Sequence, residues 1–275
     1  MLRVKMKRWI IALLLVLVAT VAGAFRGTSG RFVAQSAAGG DGREEIRQSY
    51  QLSAGAKVEV KGINGPVEIE TADTNTAEVY ILRTARTQAD LDNSRVTITA
   101  SPSSLVIQGE QNQGSFWQRL WHSEVKHQVT LKVPRQIALA VKGVNGTVKA
   151  GEVTGAVEIG GINGRVETAQ TVGYSEINGI NGRVTVSIRQ LGERGIRIKG
   201  VNGAVELRVA DKLNADLSAR GVNGKISADL PDVTVQGEPT RSNYNARIGA
   251  GGAPITLSGI NGSVRVTRGA ASPTE

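Results

Sequence analysis

Apolar and polar residues alternate one for one along much of this chain. Arg183-Val184-Thr185-Val186-Ser187-Ile188, Ala204-Val205-Glu206-Leu207-Arg208-Val209 and Ser263-Val264-Arg265-Val266 are examples, as are the shorter Ile196-Arg197-Ile198 and Ile255-Thr256-Leu257. A period of two puts one set of side chains on each face of an extended segment, so these runs predict half-buried strands. Between the runs one phrase recurs, Gly followed by Ile or Val and then Asn-Gly. Its asparagines are Asn64, Asn145, Asn163, Asn181, Asn202, Asn223 and Asn261. From Asn145 onward they are spaced 18, 18, 21, 21 and 38 residues apart, and the last gap equals two repeats of 19. Asn243-Tyr244-Asn245-Ala246-Arg247-Ile248 reads as the degenerate copy that fills it.

A period near 20 residues marks a repeat architecture, whose units bury their apolar faces by stacking on one another. The fold expected is all-β, a single-stranded parallel β-helix (β-solenoid) with rungs of roughly 20 residues. Its rival is an antiparallel β-sandwich or prism built of Asn-Gly hairpins, which would set Ile198 opposite Leu207 and Ile196 opposite Val209. Repeats of near-constant length favour the solenoid. In that fold the Ile or Val of each phrase forms an interior column and the asparagines form an amide ladder. Asn-Gly is expected to make the corner through positive φ, and the leading Gly to leave room for the neighbouring rung.

Residues 1–24 read as a secretory signal peptide that engages the membrane and the export machinery. Arg3, Lys5, Lys7 and Arg8 precede an apolar core from Ile10 to Val18 and the small residues Ala22-Gly23-Ala24. Without cleavage the same segment would act as a membrane anchor. Residues 25–49 read as a glycine-rich linker, 50–268 as the repeat domain and 269–275 as a disordered polar tail with no apolar anchor. The 81 residues between Asn64 and Asn145 are close to four repeats of 20 and read as degenerate rungs, with strand-like runs at 77–82, 95–99, 104–108, 128–133 and 137–141. An insertion at 109–127 interrupts them. It holds Trp117 and Trp121, spaced to share one face of a short helix as a cap over the coil's end or as an aromatic contact for a ligand or membrane interface.

Composition narrows the chemistry. The chain has no cysteine, so its stability does not come from disulfides, and it has only two histidines, His122 and His127. No serine sits on a nucleophile turn, no metal spacing is present and the glycine phrases lack the helix and Lys-Ser/Thr of a phosphate loop. No catalytic, metal or cofactor site is expected. Glu158, Glu167, Glu176 and Glu206 would be the acids of a carbohydrate-active enzyme, and as outward strand residues they read instead as a solvated face. The formal charge is +9, and removing four signal-segment cations leaves 29 − 24 = +5. Arg165, Arg183, Lys225 and Arg247 follow the phrase, and Lys61, Lys142, Lys199 and Arg220 precede it. Aligned in a coil they would form basic columns facing anionic envelope polysaccharide or lipid headgroups. Paired with carboxylates, Lys199 with Glu206 and Lys61 with Glu68, they would serve only to keep strand surfaces apart. An exported chain does not meet nucleic acid.

With seven copies of the phrase, an export signal and a strand-rich N-terminal half, residues 45–268 resemble the bacterial putative-adhesin families of unknown function, including those with head GIN domains. The resemblance implies a β-solenoid, an extracytoplasmic location in the periplasm, at the cell surface or outside the cell, and a non-catalytic role in binding, adhesion or scaffolding. An accessory role in envelope stress or signalling, through another envelope protein, is the alternative.

Overall fold

The computed structural model describes residues 37–39, 42–92, 94–111, 125–170, 173–238, 240 and 243–269. The signal segment, the tail from 270 onward and both Trp117 and Trp121 lie outside them. Among the described residues the chain is all-β, with two sheets of 11 strands and one short helix, α1 (Gln88–Asp92).

Before α1 come β1 (Ala37–Gly39), β2 (Arg43–Gln51), β3 (Lys57–Lys61), β4 (Val67–Ala72) and β5 (Thr76–Thr84). After it come β6 (Ser94–Ser101), β7 (Ser104–Gln111) and β8 (Lys126–Pro134). The central repeats supply β9 (Ala138–Asn145), β10 (Val148–Val153), β11 (Val157–Asn163), β12 (Val166–Gln170), β13 (Ser175–Asn181), β14 (Val184–Ile188), β15 (Ile196–Asn202) and β16 (Val205–Val209). The chain ends with β17 (Ala215–Asn223), β18 (Ile226–Asp229), β19 (Val233–Val235), β20 (Asn243–Ile248), β21 (Ala253–Asn261) and β22 (Val264–Arg268). β2 occupies part of the stretch whose composition suggested a linker.

Each phrase joins a strand of one sheet to a strand of the other. The first sheet runs β1-β2-β5-β8-β4-β10-β12-β14-β16-β22-β18, the second β19-β20-β17-β21-β15-β13-β11-β9-β3-β7-β6. Strands from the repeats pair in parallel with equivalent residues in register. Ile198 faces Ile177 and Leu257 in neighbouring copies, and does not pair across its own Asn-Gly with Leu207. Other strands at the two ends run antiparallel, so both sheets are mixed.

Chain order and stacking order differ at those ends. The Asn64 copy lies directly on the Asn145 copy, β3 on β9 and β4 on β10. Except for 137–141, which enter β9, the residues expected to form degenerate rungs between them instead build the outer side of the Asn64 copy, where β7 and β8 flank β3 and β4, β6 ends the second sheet antiparallel and β5 leads antiparallel to β2 and β1. At the other end the Asn261 copy inserts between the Asn202 and Asn223 copies. The supposed degenerate copy at Asn243–Ile248 is β20, which runs antiparallel to β17. The spacing arithmetic misled because a 20-residue length accommodates a strand, a turn and a returning strand as readily as one layer of a stack.

Inward side chains of both sheets form one apolar cluster. The Ile or Val of every phrase, Ile63, Val144, Ile162, Ile180, Val201, Val222 and Ile260, is at most 2% exposed. Burying each such side chain contributes about 1.5–3 kcal/mol, and its β-branched shape suits a strand. Thr168 interrupts an inward column between Ala150 and Val186, and its hydroxyl is buried without a hydrogen-bond partner.

Candidate functional site

The corner carries the sequence signal, and its geometry explains each residue of the phrase. The leading glycine has φ near +60°, as at Gly179 (+61°), and a Cβ there would stand 3.5 Å from the nearest neighbouring atom. The trailing glycine is the crowded one. At Gly182 φ is +150° and a Cβ would fall 1.9 Å from the carbonyl oxygen of Gly164 in the adjacent layer. The expected roles are therefore corrected: the leading Gly supplies the left-handed turn and the trailing Gly the close approach. No non-glycine residue among those described has positive φ, so Asn is not the turn-maker.

What the asparagine supplies is a ladder. Nδ2 of Asn145 donates to Oδ1 of Asn64 (3.1 Å), and the series continues through Asn163 (3.1 Å), Asn181 (3.2 Å), Asn202 (3.2 Å), Asn261 (3.1 Å) and Asn223 (3.3 Å). Every amide donates toward the N-terminal end of the stack. Backbone hydrogen bonds cross the same corner in both directions: Gly164 N–H donates to the Asn181 carbonyl and Gly182 N–H to that of Asn202, while Asn145 N–H donates to the Ile63 carbonyl.

Asn64 ends the ladder at a buried polar group. Its Nδ2 donates to the Val125 carbonyl (2.9 Å) and its backbone N–H to Nδ1 of His127 (3.3 Å). His127 is 3% exposed and its Nε2 has no partner. Burial, and after it the charge of Arg83 on the facing strand, lower its pKa to about 4. Arg83 is itself buried, paired with Glu44 and donating to the Leu91 carbonyl.

The basic columns expected along the corner do not form. Arg165 and Arg183 are neighbours, but Ala204 and Ser263 separate them from Lys225, and Arg247 lies in antiparallel β20, paired with Asp216. Before the phrase, Lys61 stacks on Lys142, but Gly160 and Asn178 then intervene ahead of Lys199. These lysines face carboxylates on the second sheet: Lys61 and Lys57 reach Glu59 (3.8 and 3.0 Å), Lys142 reaches Glu158 (2.9 Å) and Lys199 reaches Glu176 (2.6 Å). The partners expected from sequence, Glu68 and Glu206, lie on the first sheet. The hydrogen bond that Lys199 donates holds the Glu176 carboxyl below its ordinary pKa, and the one that Lys142 donates to Glu158 raises the pKa of Lys142. Glu158 and Glu176 occupy one sheet and Glu167 and Glu206 the other, so the four acids do not converge.

The outer face of the first sheet holds a groove of about 660 Å³. Two rows of outward residues create it. One row, three residues past each trailing glycine, reads Glu68, Lys149, Glu167 and Thr185 in successive layers, with Glu206 continuing it past the groove's end. The next outward row is small, Ala169 beside Ser187, with a bulge at Gly151-Glu152 where β10 carries two residues against one of β12. A Cβ on Gly151 would meet the Thr71 hydroxyl at 2.9 Å, so a larger residue at that bend requires the threonine side chain to turn away. Beyond the small row Glu152 is held by two guanidinium groups, Arg189 at 3.2 Å and Arg135 at 3.8 Å, and Arg135 also reaches Asp73 at 3.1 Å. The groove is polar and shallow, with small side chains between two charged borders. Sequence reading passed over it because its residues come from five different layers and form no motif in any one of them. Among the described residues no three His, Cys, Asp or Glu side chains gather as a metal site, and no helix is long and apolar enough to cross a membrane.

No family model matches this chain and no curated protein matches it. Solved structures do. A "putative cell adhesion protein" from Clostridium sporogenes is 10% identical over 82% of this chain and 100% of its own, with a TM-score of 0.43. A "putative adhesin" from Parabacteroides merdae is 11% identical over 82% and 96%, with a TM-score of 0.30. A "putative lipid binding protein" from Parabacteroides distasonis is 10% identical over 82% and 97%, with a TM-score of 0.21.

Proposed function

We propose that this chain is an exported, non-catalytic β-solenoid that serves as a binding module of the bacterial cell envelope, with the groove on the first sheet as its ligand-contacting surface. The observation that carries this reading is the groove itself. On the second sheet Lys57 and Lys61 pair with Glu59, Lys142 with Glu158 and Lys199 with Glu176, whereas the first sheet leaves a trough of Gly, Ala and Ser between two charged borders. Such a trough has room for a ligand and polar groups on both sides to orient it. The positive n-region, apolar core and small-residue site of residues 1–24 support export. The Asn ladder and the interior columns supply the rigid support that a binding face on strands requires.

Retention of the mature chain on isolated envelope fragments tests the reading. Ala169→Ile fills the trough with a side chain that suits an outward strand position. We expect the native chain to be retained and the variant to be lost to the supernatant with its thermal midpoint unchanged. Equal retention of the two proteins would move the binding surface elsewhere.

A further inference from the structure

We propose that the groove takes an uncharged, hydroxyl-rich polymer, a neutral glycan chain laid along the stacking direction; this rests on the reading of the groove as the binding surface. Three observations carry it.

The first is charge balance. Four carboxylates and four cations line the groove. The cations there have carboxylate company: Arg189 and Arg135 share Glu152, Arg208 donates to Glu206 at 2.8 Å, and Lys149 stands between Glu68 and Glu167 in register. A polyanion gains no net field from such a surface and would have to displace existing partners. The chain's excess of positive charge is thus not expressed in its groove.

The second is the alternation of acceptor and donor. Along the groove Glu68, Lys149, Glu167 and Thr185 follow one another at the strand spacing of about 4.8 Å. A hydroxyl donates to a carboxylate and accepts from an ammonium, guanidinium or second hydroxyl, so a polyol satisfies both kinds of neighbour at once. A ligand made only of acceptors, such as a phosphate or sulfate polymer, leaves the carboxylates facing like charge.

The third is shape. The groove spans β4, β10, β12, β14 and β16, which is four spacings or about 19 Å. That length suits a chain better than a single sugar. Among the described residues no aromatic ring lines it, so no stacking platform for a single sugar is offered there. Affinity therefore accumulates along the polymer through many weak contacts, and small saccharides bind poorly.

Affinity electrophoresis of the mature chain through gels containing dextran, mannan, carboxymethyl dextran or alginate tests this. The expected result is retardation by at least one of the two uncharged polymers, unchanged between low and moderate salt, at least tenfold weaker for the corresponding disaccharide, and abolished by Ala169→Ile or Ser187→Ile. The second substitution guards against a folding defect in the first. Retardation by the carboxylated polymers alone, with loss on raising salt and on blocking the groove, would overturn the neutral-glycan assignment while leaving the groove as the binding surface. Retardation that survives both substitutions, or none with any polymer, would overturn the assignment too, and survival would also remove the groove from the function.

Discussion

Between Asn145 and Asn202 the layers stack in the order in which the chain makes them, each copy pairing with the one before and the one after. At both ends this breaks down: the Asn64 copy stacks directly on the Asn145 copy across 81 residues, and the Asn261 copy slips inside the Asn223 copy. Yet the corners of displaced and sequential copies are alike. Asn261 donates to Asn202 at 3.1 Å, as Asn163 does to Asn145, and leading glycines show φ near +60° throughout. The phrase therefore encodes how a layer stacks and says nothing of which layer it stacks on.

Substitution of the trailing glycines is the hardest test of that distinction. In Gly182→Ala and Gly262→Ala the new Cβ falls 1.9 and 2.0 Å from a carbonyl oxygen, at φ of +150° and +152°. Strain at such a φ together with overpacking costs about 4 kcal/mol. Although one copy is sequential and the other displaced, we expect equal losses in urea unfolding. Gly224→Ala should cost less than half as much, because its φ is not positive and its copy, outermost in the first sheet, can move away from Gly262. By contrast Gly179→Ala should cost only about 1–2 kcal/mol, the penalty of left-handed backbone alone. If Gly262→Ala behaved like Gly224→Ala, the inserted layer would be no more than a loosely held end.

The N-terminal end differs from the middle in its response to acid. His127 is buried and neutral, with a pKa near 4 against an ordinary 6.5. The unfolded chain takes up a proton on falling through about pH 6.5 while the folded one does not until about pH 4, so stability is lost across that window. At about 1.4 kcal/mol per unit the loss approaches 3 kcal/mol. Measured by hydrogen exchange near pH 4.5, the amides of β8 and of the Asn64 corner should exchange ahead of those from β11 to β15, and His127→Gln should abolish the difference. Uniform exchange along the stack would show that the end is no weaker than the middle.

These contrasts also mark what the sequence made legible. The repeat strands, their parallel register, the interior Ile and Val column and the Asn ladder all follow from alternation plus a repeated phrase, because each depends on the shape of one unit and not on which copies become neighbours. Layer order does not, since identical corners fit one another interchangeably and the choice rests on how β5 to β8 and β19 to β20 fold back. The candidate site was hidden for a related reason. Arg165, Arg183 and Lys225 share a position in the phrase, which suggested a column, but Ala204 and Ser263 stand between them in the stack. Ala169 and Ser187 share a repeat position too small and polar to stand out, whereas Glu152 and Arg189 share none and meet where β10 bulges.

Inside the stack the layers are not equally well filled, and Thr168 offers a change of opposite sign. It takes an inward position between Ala150 and Val186, where its hydroxyl finds no partner. Thr168→Val keeps the branched shape and removes a buried polar group whose desolvation costs about 1–3 kcal/mol. A gain of about 1 kcal/mol would raise the thermal midpoint by about 2–4 °C. A loss of stability would mean that the hydroxyl is satisfied in solution.

The ladder gives the finest comparison, because its members differ only in position. Asn181→Ala removes two amide bonds, one to Asn163 and one from Asn202, and leaves both neighbours exposed to water. Solvent replaces those partners, so the cost stays at about 1 kcal/mol. Asn223 makes a single ladder bond at the far end, and Asn223→Ala should cost about half as much. Asn64 is half-buried, accepts from Asn145 and donates to the Val125 carbonyl, which loses its partner when the side chain is removed. Asn64→Ala should therefore exceed Asn181→Ala, and the order Asn64, Asn181, Asn223 should appear in parallel thermal melts. Equal losses at all three positions would mean that each amide stabilises its own corner alone. A graded loss ties the ladder's strength to what closes its two ends, a carbonyl beside the buried histidine at one and water at the other.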